Sequence, residues 1–184
     1  MLHLRGDRPR RHRRALPELR SGPPDRRRAA RAGAATTFTR VDDTTFGPCN
    51  DRRATLANQA RADALVSLHA DSDAAGKRGF HIIYAPQMAG GRTVEEASKG
   101  LAEAVASGLR ATPIRPANYK GTPEMPIDPR ANIAALNGLT ATPGVLVEVG
   151  NLNNPDDWSA LRQPATRDAV ATAIADGVRV GLRR

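Results

Sequence analysis

Two residues in this chain combine reactive chemistry with a suggestive setting. His69 stands near the end of ALVSLHAD (residues 64–71), where Leu65, Val66 and Leu68 are bounded by Asp63 and by Asp71-Ser72-Asp73. Glu148 lies within TPGVLVEVGNLNN (residues 142–154), between Val147 and Val149, where burial normally excludes charge. A neutral imidazole is a common metal ligand, and a buried carboxyl group can take up or deliver a proton. Carried on two strands of one sheet, the pair suggests metal-dependent hydrolysis, with His69 as ligand and Glu148 as acid/base. Each residue also has a structural reading: His69 as a hydrogen-bonded strand-end residue, Glu148 as half of a buried salt bridge to an Arg.

The elements that must position these residues follow from periodicity. ALVSLHAD reads as a strand buried on both faces, as in parallel sheets. Further strands are expected at 35–41, 79–85 and 143–150, each rich in β-branched or aromatic residues. Between them, Asn50 or Asp51 can cap a helix over 52–62 with Leu56, Ala57 and Ala60 inward. Thr93 with Glu96 has the spacing of a capping box, opening a helix to about Leu109 with Val94, Ala97, Leu101, Val105 and Leu109 on one stripe. Residues 112–127 form a Pro/Gly-rich loop long enough to border a site, and 130–137 a helical turn. A short helix over 155–162 and an amphipathic one over 166–182, with Val170, Ile174 and Val178 stacked, complete the chain. The alternation predicts an α/β fold, a mostly parallel or mixed sheet with helices on both faces. Such sheets usually hold about five or six strands, so N-terminal strands are absent or unrecognisable.

Composition limits the alternatives. At 184 residues the chain is expected to form one domain, and with 3% aromatics its core must be built from Ala, Val, Leu and Ile. No run approaches the roughly 18 apolar residues of a membrane span, which predicts a soluble chain. The net charge of +9 is localised: residues 1–31 carry eleven arginines against Asp7, Glu18 and Asp25, and the remainder is nearly neutral. Residues 1–34 read as a disordered Arg/Pro-rich segment without the apolar core of a secretory signal. Nucleic-acid binding through these arginines ranks last, for want of an aromatic platform, so no specific nucleic acid is expected. Cys49 is the only cysteine, in a turn that leaves it near the surface. His81 reads as surface or structural, and Asn118-Tyr119 as either a groove lining or an ordinary connection.

From Thr39 onward the sequence resembles the zinc-dependent N-acetylmuramoyl-L-alanine amidases (the amidase type 3 catalytic domain), in their mycobacterial, actinobacterial branch. The matching blocks are Thr39-Arg40-x-Asp42, Arg53-x-x-x-Ala57-Asn58, Ala62-Asp63-x-Leu65-Val66-Ser67-Leu68-His69-Ala70, Gly79-Phe80, Pro143-x-Val145-Leu146-Val147-Glu148-Val149-Gly150-Asn151 and Asn154. The resemblance implies cleavage of the amide between N-acetylmuramic acid and L-alanine of peptidoglycan by zinc-activated water. It implies His69 as one of two histidine ligands, Glu148 as general base and acid, and 35–184 as the catalytic domain. It further implies a monomer acting on peptidoglycan or muropeptides in the cell envelope or outside the cell. The family's first histidine, in an Asp-Pro-Gly-His-like context, and its ligand glutamate have no counterpart in residues 1–34. Glu18, His3 and His12 are poor substitutes, which fits an N-terminal part that is missing or frame-shifted. The chain is therefore expected to carry half of a zinc site, its activity open to question. The alternative is a non-catalytic amidase-like protein that binds peptidoglycan or a regulatory partner.

Overall fold

The computed structural model describes residues 34–40 and 46–183. The disorder expected for residues 1–33, and the poor ligand candidates His3, His12 and Glu18, lie outside them. The described elements are α1 (Asn50–Gln59), β1 (Leu65–Asp71), β2 (His81–Tyr84), α2 (Gly91–Leu109), β3 (Ile127–Pro129), α3 (Ala134–Asn137), β4 (Gly144–Asn151), α4 (Pro155–Arg162) and α5 (Pro164–Gly181).

The four strands form a mixed sheet in the order β1-β4-β2-β3. β1 runs parallel to β4 from Leu65 opposite Gly144 to His69 opposite Glu148. β2 is antiparallel to β4, with His81 opposite Glu148, and parallel to β3. The expected strand at 35–41 does not form over its described residues, 35–40. Strand propensity needs a partnering edge to act on, and this segment instead anchors a helix: Thr39 Oγ1 accepts from Arg53 Nη1 at 2.8 Å. The fourth strand is β3, three residues ending in Pro, a length and composition that suit only a sheet edge.

The two faces of the sheet differ in kind. Val66, Leu68 and Ala70, Val145, Val147 and Val149, and Phe80 and Ile82 point to one face and pack on Leu101, Val105 and Leu109 of α2, Leu161 of α4, and Val170 and Ile174 of α5. On the opposite face, Leu65, Leu146 and Ile83 meet Ala54 and Ala57 of α1 and Leu136 of α3. The same face continues into Ser67, His69, Asp71, Glu148 and His81 at the other end of the strands. ALVSLHAD is thus apolar on both faces only at its start; from Ser67 onward it alternates.

The helices depart from their expected details. The N-cap of α1 is Cys49, with no side-chain cap bond, and its buried positions are Arg53, Ala54 and Ala57; Ala60 is exposed. Burial of Arg53 follows from its bond to Thr39, which rotates the inward stripe by about one position. α2 begins at Gly91, so Thr93 lies within its first turn and no capping box forms. Its inward stripe passes through Ser98 rather than Ala97. Ser98 Oγ donates to the Val94 carbonyl at 2.7 Å and accepts from the Gly144 amide at 3.0 Å, tying α2 to the start of β4. The helix at 155–162 is as expected, with Asn154 accepting from the Asp156 and Asp157 amides.

Candidate functional site

The polar end of the second face is organised by register. Glu148 on the central strand β4 has His69 as its partner on β1 and His81 as its partner on β2. Partnered residues share a face, so three titratable side chains form one row across three strands. Ser67, two residues before His69 on the same face, holds the imidazole: its Oγ lies 3.0 Å from His69 Nε2. Beyond His69 the register slips, Asp71 pairing with Asn151 rather than with Gly150. Such a bulge re-aims the strand end, here toward the loop at 112–126, where Tyr119 Oη donates to Asp71 Oδ2 at 2.8 Å. The Tyr119 ring also meets His81 edge-on, centroids 5.5 Å apart at 78°.

The segment after β1 is held by asparagines from the end of β4. Asn151 Nδ2 donates to the carbonyls of Ala74 at 2.9 Å and Lys77 at 2.7 Å. Asn153 Nδ2 donates to those of Ser72 and Asp73 at 2.8 and 2.7 Å, and Asn154 Nδ2 to that of Ala75 at 2.7 Å. Three amides therefore satisfy carbonyls of a loop that has no regular partner. Asn118 joins this loop to the one at 112–126: its Oδ1 accepts from the Arg78 amide at 2.9 Å and its Nδ2 donates to Gly76 O at 3.1 Å. Gly79 permits the close approach. Its φ is +91°, and a Cβ there would lie 2.4 Å from the Pro116 carbonyl oxygen. Its amide donates to Asp157 Oδ2 at 2.7 Å, which also accepts from the Asn151 amide at 2.8 Å.

Burial dominates the electrostatics. The Glu148 carboxyl is pushed up to about 8, first by desolvation and then by the nearby negative charge of Asp71, against the opposing pull of Arg130. At pH 7 it is mostly protonated, with a minor ionised fraction. His69 and His81 are both lowered to about 4 by desolvation, assisted at His69 by the positive charge of Arg53. Both are neutral at pH 7, His69 in the form a metal ligand requires. Glu148 Oε2 and His81 Nδ1 are sealed from solvent and have no hydrogen-bond partner among the described residues.

The residues picked from sequence, His69 and Glu148, are thus brought side by side. No salt bridge to an Arg forms at Glu148 among the described residues; Arg130 acts on it only at a distance. His81 is 1% exposed, so its surface reading is overturned. It gave no signal because GFHIIY is apolar on both sides of it. Tyr119 borders the site, and Asn118 is a fastening of its loops. Asp71 and Ser67 carried a signal that went unused: they alternate with Leu68 and Ala70 in step with His69. Cys49 is exposed, as expected.

A family model for N-acetylmuramoyl-L-alanine amidase matches residues 26–180. The chain belongs to the N-acetylmuramoyl-L-alanine amidase family. This amidase-family chain is 38% identical over 150 residues to the N-acetylmuramoyl-L-alanine amidase Rv3717 of Mycobacterium tuberculosis, a match covering 79% of the chain and 59% of the relative. The chain therefore spans about three fifths of the length of that relative. The crystal structure of the N-acetylmuramyl-L-alanine amidase Ami1 from Mycobacterium smegmatis superposes with a TM-score of 0.78 at 37% identity, covering 86% of this chain and 72% of that one. The apo form of Ami1 from Mycobacterium abscessus gives 0.78 at 36% identity, covering 86% and 73%.

The family is generally zinc-dependent. A catalytic zinc site takes three protein ligands, and among the described residues no group of three His, Cys, Asp or Glu side chains is placed to hold a metal. The amidase-family site described here supplies His69 as a metal-type donor, with Glu148 beside it, so the described residues by themselves do not fit a zinc centre. No described helix is long and apolar enough to cross a membrane.

Proposed function

We propose that this chain is a peptidoglycan hydrolase that cleaves the amide between N-acetylmuramic acid and L-alanine. The observation that carries the reading is Glu148: a half-buried side chain on the central strand, its Oε2 sealed from solvent and unpartnered among the described residues, in register beside His69. An unpaired carboxyl group in such a place costs several kcal/mol, a cost that a role in proton transfer explains. In the reaction the oxygen of a water molecule bonds to the lactyl carbonyl carbon and the bond to the L-alanine nitrogen breaks. Glu148 in its ionised form takes the water's proton and delivers it to that nitrogen, which leaves as an amine. With a midpoint near 8, about a tenth of the Glu148 carboxyls are ionised at pH 7 and able to take the proton, and the acid so formed can return it to the leaving nitrogen. Asp71 and Tyr119 wall the site on one side, and the asparagine-held loop at 72–77 bounds it beyond β1.

Zinc as cofactor, with His69 as one of its ligands, belongs to the same reading on family grounds; a bound zinc supplies water activation and carbonyl polarisation. So do residues 35–184 as the catalytic domain, action as a monomer, and a location in the cell envelope or outside the cell. The test is digestion of purified muropeptides by the full chain in zinc-containing buffer, following release of peptides with a free L-alanine amine. Glu148→Gln is expected to lower kcat by at least about 10²-fold. Muropeptide binding without cleavage would overturn the enzyme reading and leave a peptidoglycan-binding or regulatory module.

A further inference from the structure

His81 plays no part in the reaction as described, yet it is among the most deeply buried polar residues of the protein, 1% exposed. It is the direct partner of Glu148 across the antiparallel β2–β4 pair. Directly opposed residues in such a pair hold their Cβ atoms about 5 Å apart on one face. An imidazole nitrogen and a carboxyl oxygen placed in this way, and not bonded to each other directly, are within reach of a hydrogen bond through a single water. His81 Nδ1 and Glu148 Oε2 are both buried without a hydrogen-bond partner among the described residues, and such a bond would satisfy them.

The surroundings of His81 narrow the choice. The charged groups that act on it are Asp71, Asp128, Lys120 and Arg130. Asp71 accepts a hydrogen bond from the Tyr119 hydroxyl at 2.8 Å. Asp128 Oδ2, although it makes no hydrogen bond among the described residues, is ion-paired with Lys120 Nζ at 3.1 Å and is not opposed to His81 in the sheet. The Tyr119 ring, anchored by that bond, lies against the imidazole and fixes its plane. Glu148 is the opposed neighbour that remains.

We propose that His81 is a positioning residue for Glu148: Nδ1 and Oε2 share one bridging water, which sets the carboxyl rotamer and leaves Oε1 for the substrate. This rests on the reading of Glu148 as the proton-transfer group, but its first test is independent of turnover. Imidazole ¹⁵N spectra of the metal-free full chain are compared between wild type, Glu148→Ala and Thr93→Ala, an exposed helical control. The His81 Nδ1 resonance is expected to shift by several ppm in Glu148→Ala alone; an unmoved resonance, or an equal shift in the control, overturns the proposal. The second test is kinetic. His81→Phe keeps a planar ring without nitrogen, and His81→Asn returns an amide near the Nδ1 position. His81→Phe is expected to lower kcat about tenfold or more with KM within about twofold, and His81→Asn to recover most of the loss. Equal damage in both variants overturns the positioning role. A chain that never cleaves muropeptides refutes the function reading while the ¹⁵N comparison still decides this one.

Discussion

Replacing Glu148 by Gln is expected to stabilise the folded protein while it disables chemistry. Burial holds the carboxyl at about 8 in the fold, against 4.5 for an unperturbed glutamate. Below pH 4.5 both folded and unfolded chains keep the proton, and the group costs nothing. As pH rises above 4.5 the unfolded chain releases its proton and the folded chain does not, so the unfolded state gains about 1.4 kcal/mol per pH unit until the folded midpoint is passed. The penalty at pH 7 is therefore about 3 kcal/mol, and it grows to its limit above pH 8. The carboxamide introduced by Glu148→Gln is neutral at every pH and removes it. Thermal unfolding in a chelator, which keeps cations from lowering the carboxyl midpoint, should show the variant melting about 6–12 °C above wild type at pH 7, with the curves converging near pH 4. A variant no more stable than wild type at pH 7, or a difference that does not grow with pH, would refute the burial argument.

Two further outcomes follow from the loops that frame the site. Asn151→Leu strips donors from the Ala74 and Lys77 carbonyls and should lower stability by about 2–4 kcal/mol, read as a lower urea midpoint with faster proteolysis within 72–77; an unchanged midpoint would show that water replaces the amide. Gly79→Ala forces a Cβ to 2.4 Å from the Pro116 oxygen at a φ of +91°. It should cost at least about 2 kcal/mol, and a soluble variant with wild-type unfolding would contradict the close packing of these loops.

Much of the fold was legible because burial leaves a period. β1, β4, α4 and α5 were read close to their observed bounds from runs such as LVSLHAD and GVLVEVGN and from the stacked Val170, Ile174 and Val178. What misled was local preference without tertiary context. Thr36, Thr37 and Phe38 have strand propensity but no strand edge to join, and Thr93 has a capping spacing inside a helix that already began at Gly91. β3 was invisible because three residues carry no period. At the site, Glu148 announced itself as a charge among valines. His81 did not, because its significance comes from register: only the antiparallel pairing of β2 with β4 puts it opposite Glu148. Tyr119 likewise acquires a role only once its loop folds back on Asp71.

The unequal packing of the two sheet faces also sets where the molecule opens first. Behind the sheet, Phe80, Leu101, Leu109 and Leu161 interlock α2 and α4 with the valines of β4. In front, the described contacts of α1 are made largely by alanines, Ala54 and Ala57, against Leu65 and the four-residue α3. Small side chains bury little area, so detaching α1 costs a fraction of what global unfolding costs. Amide protons of α1 should exchange through this partial opening, while those of β4 and α2 wait for the whole structure to come apart. The face that carries His69 and Glu148 is thereby the compliant one, while the sheet keeps the row of side chains in line.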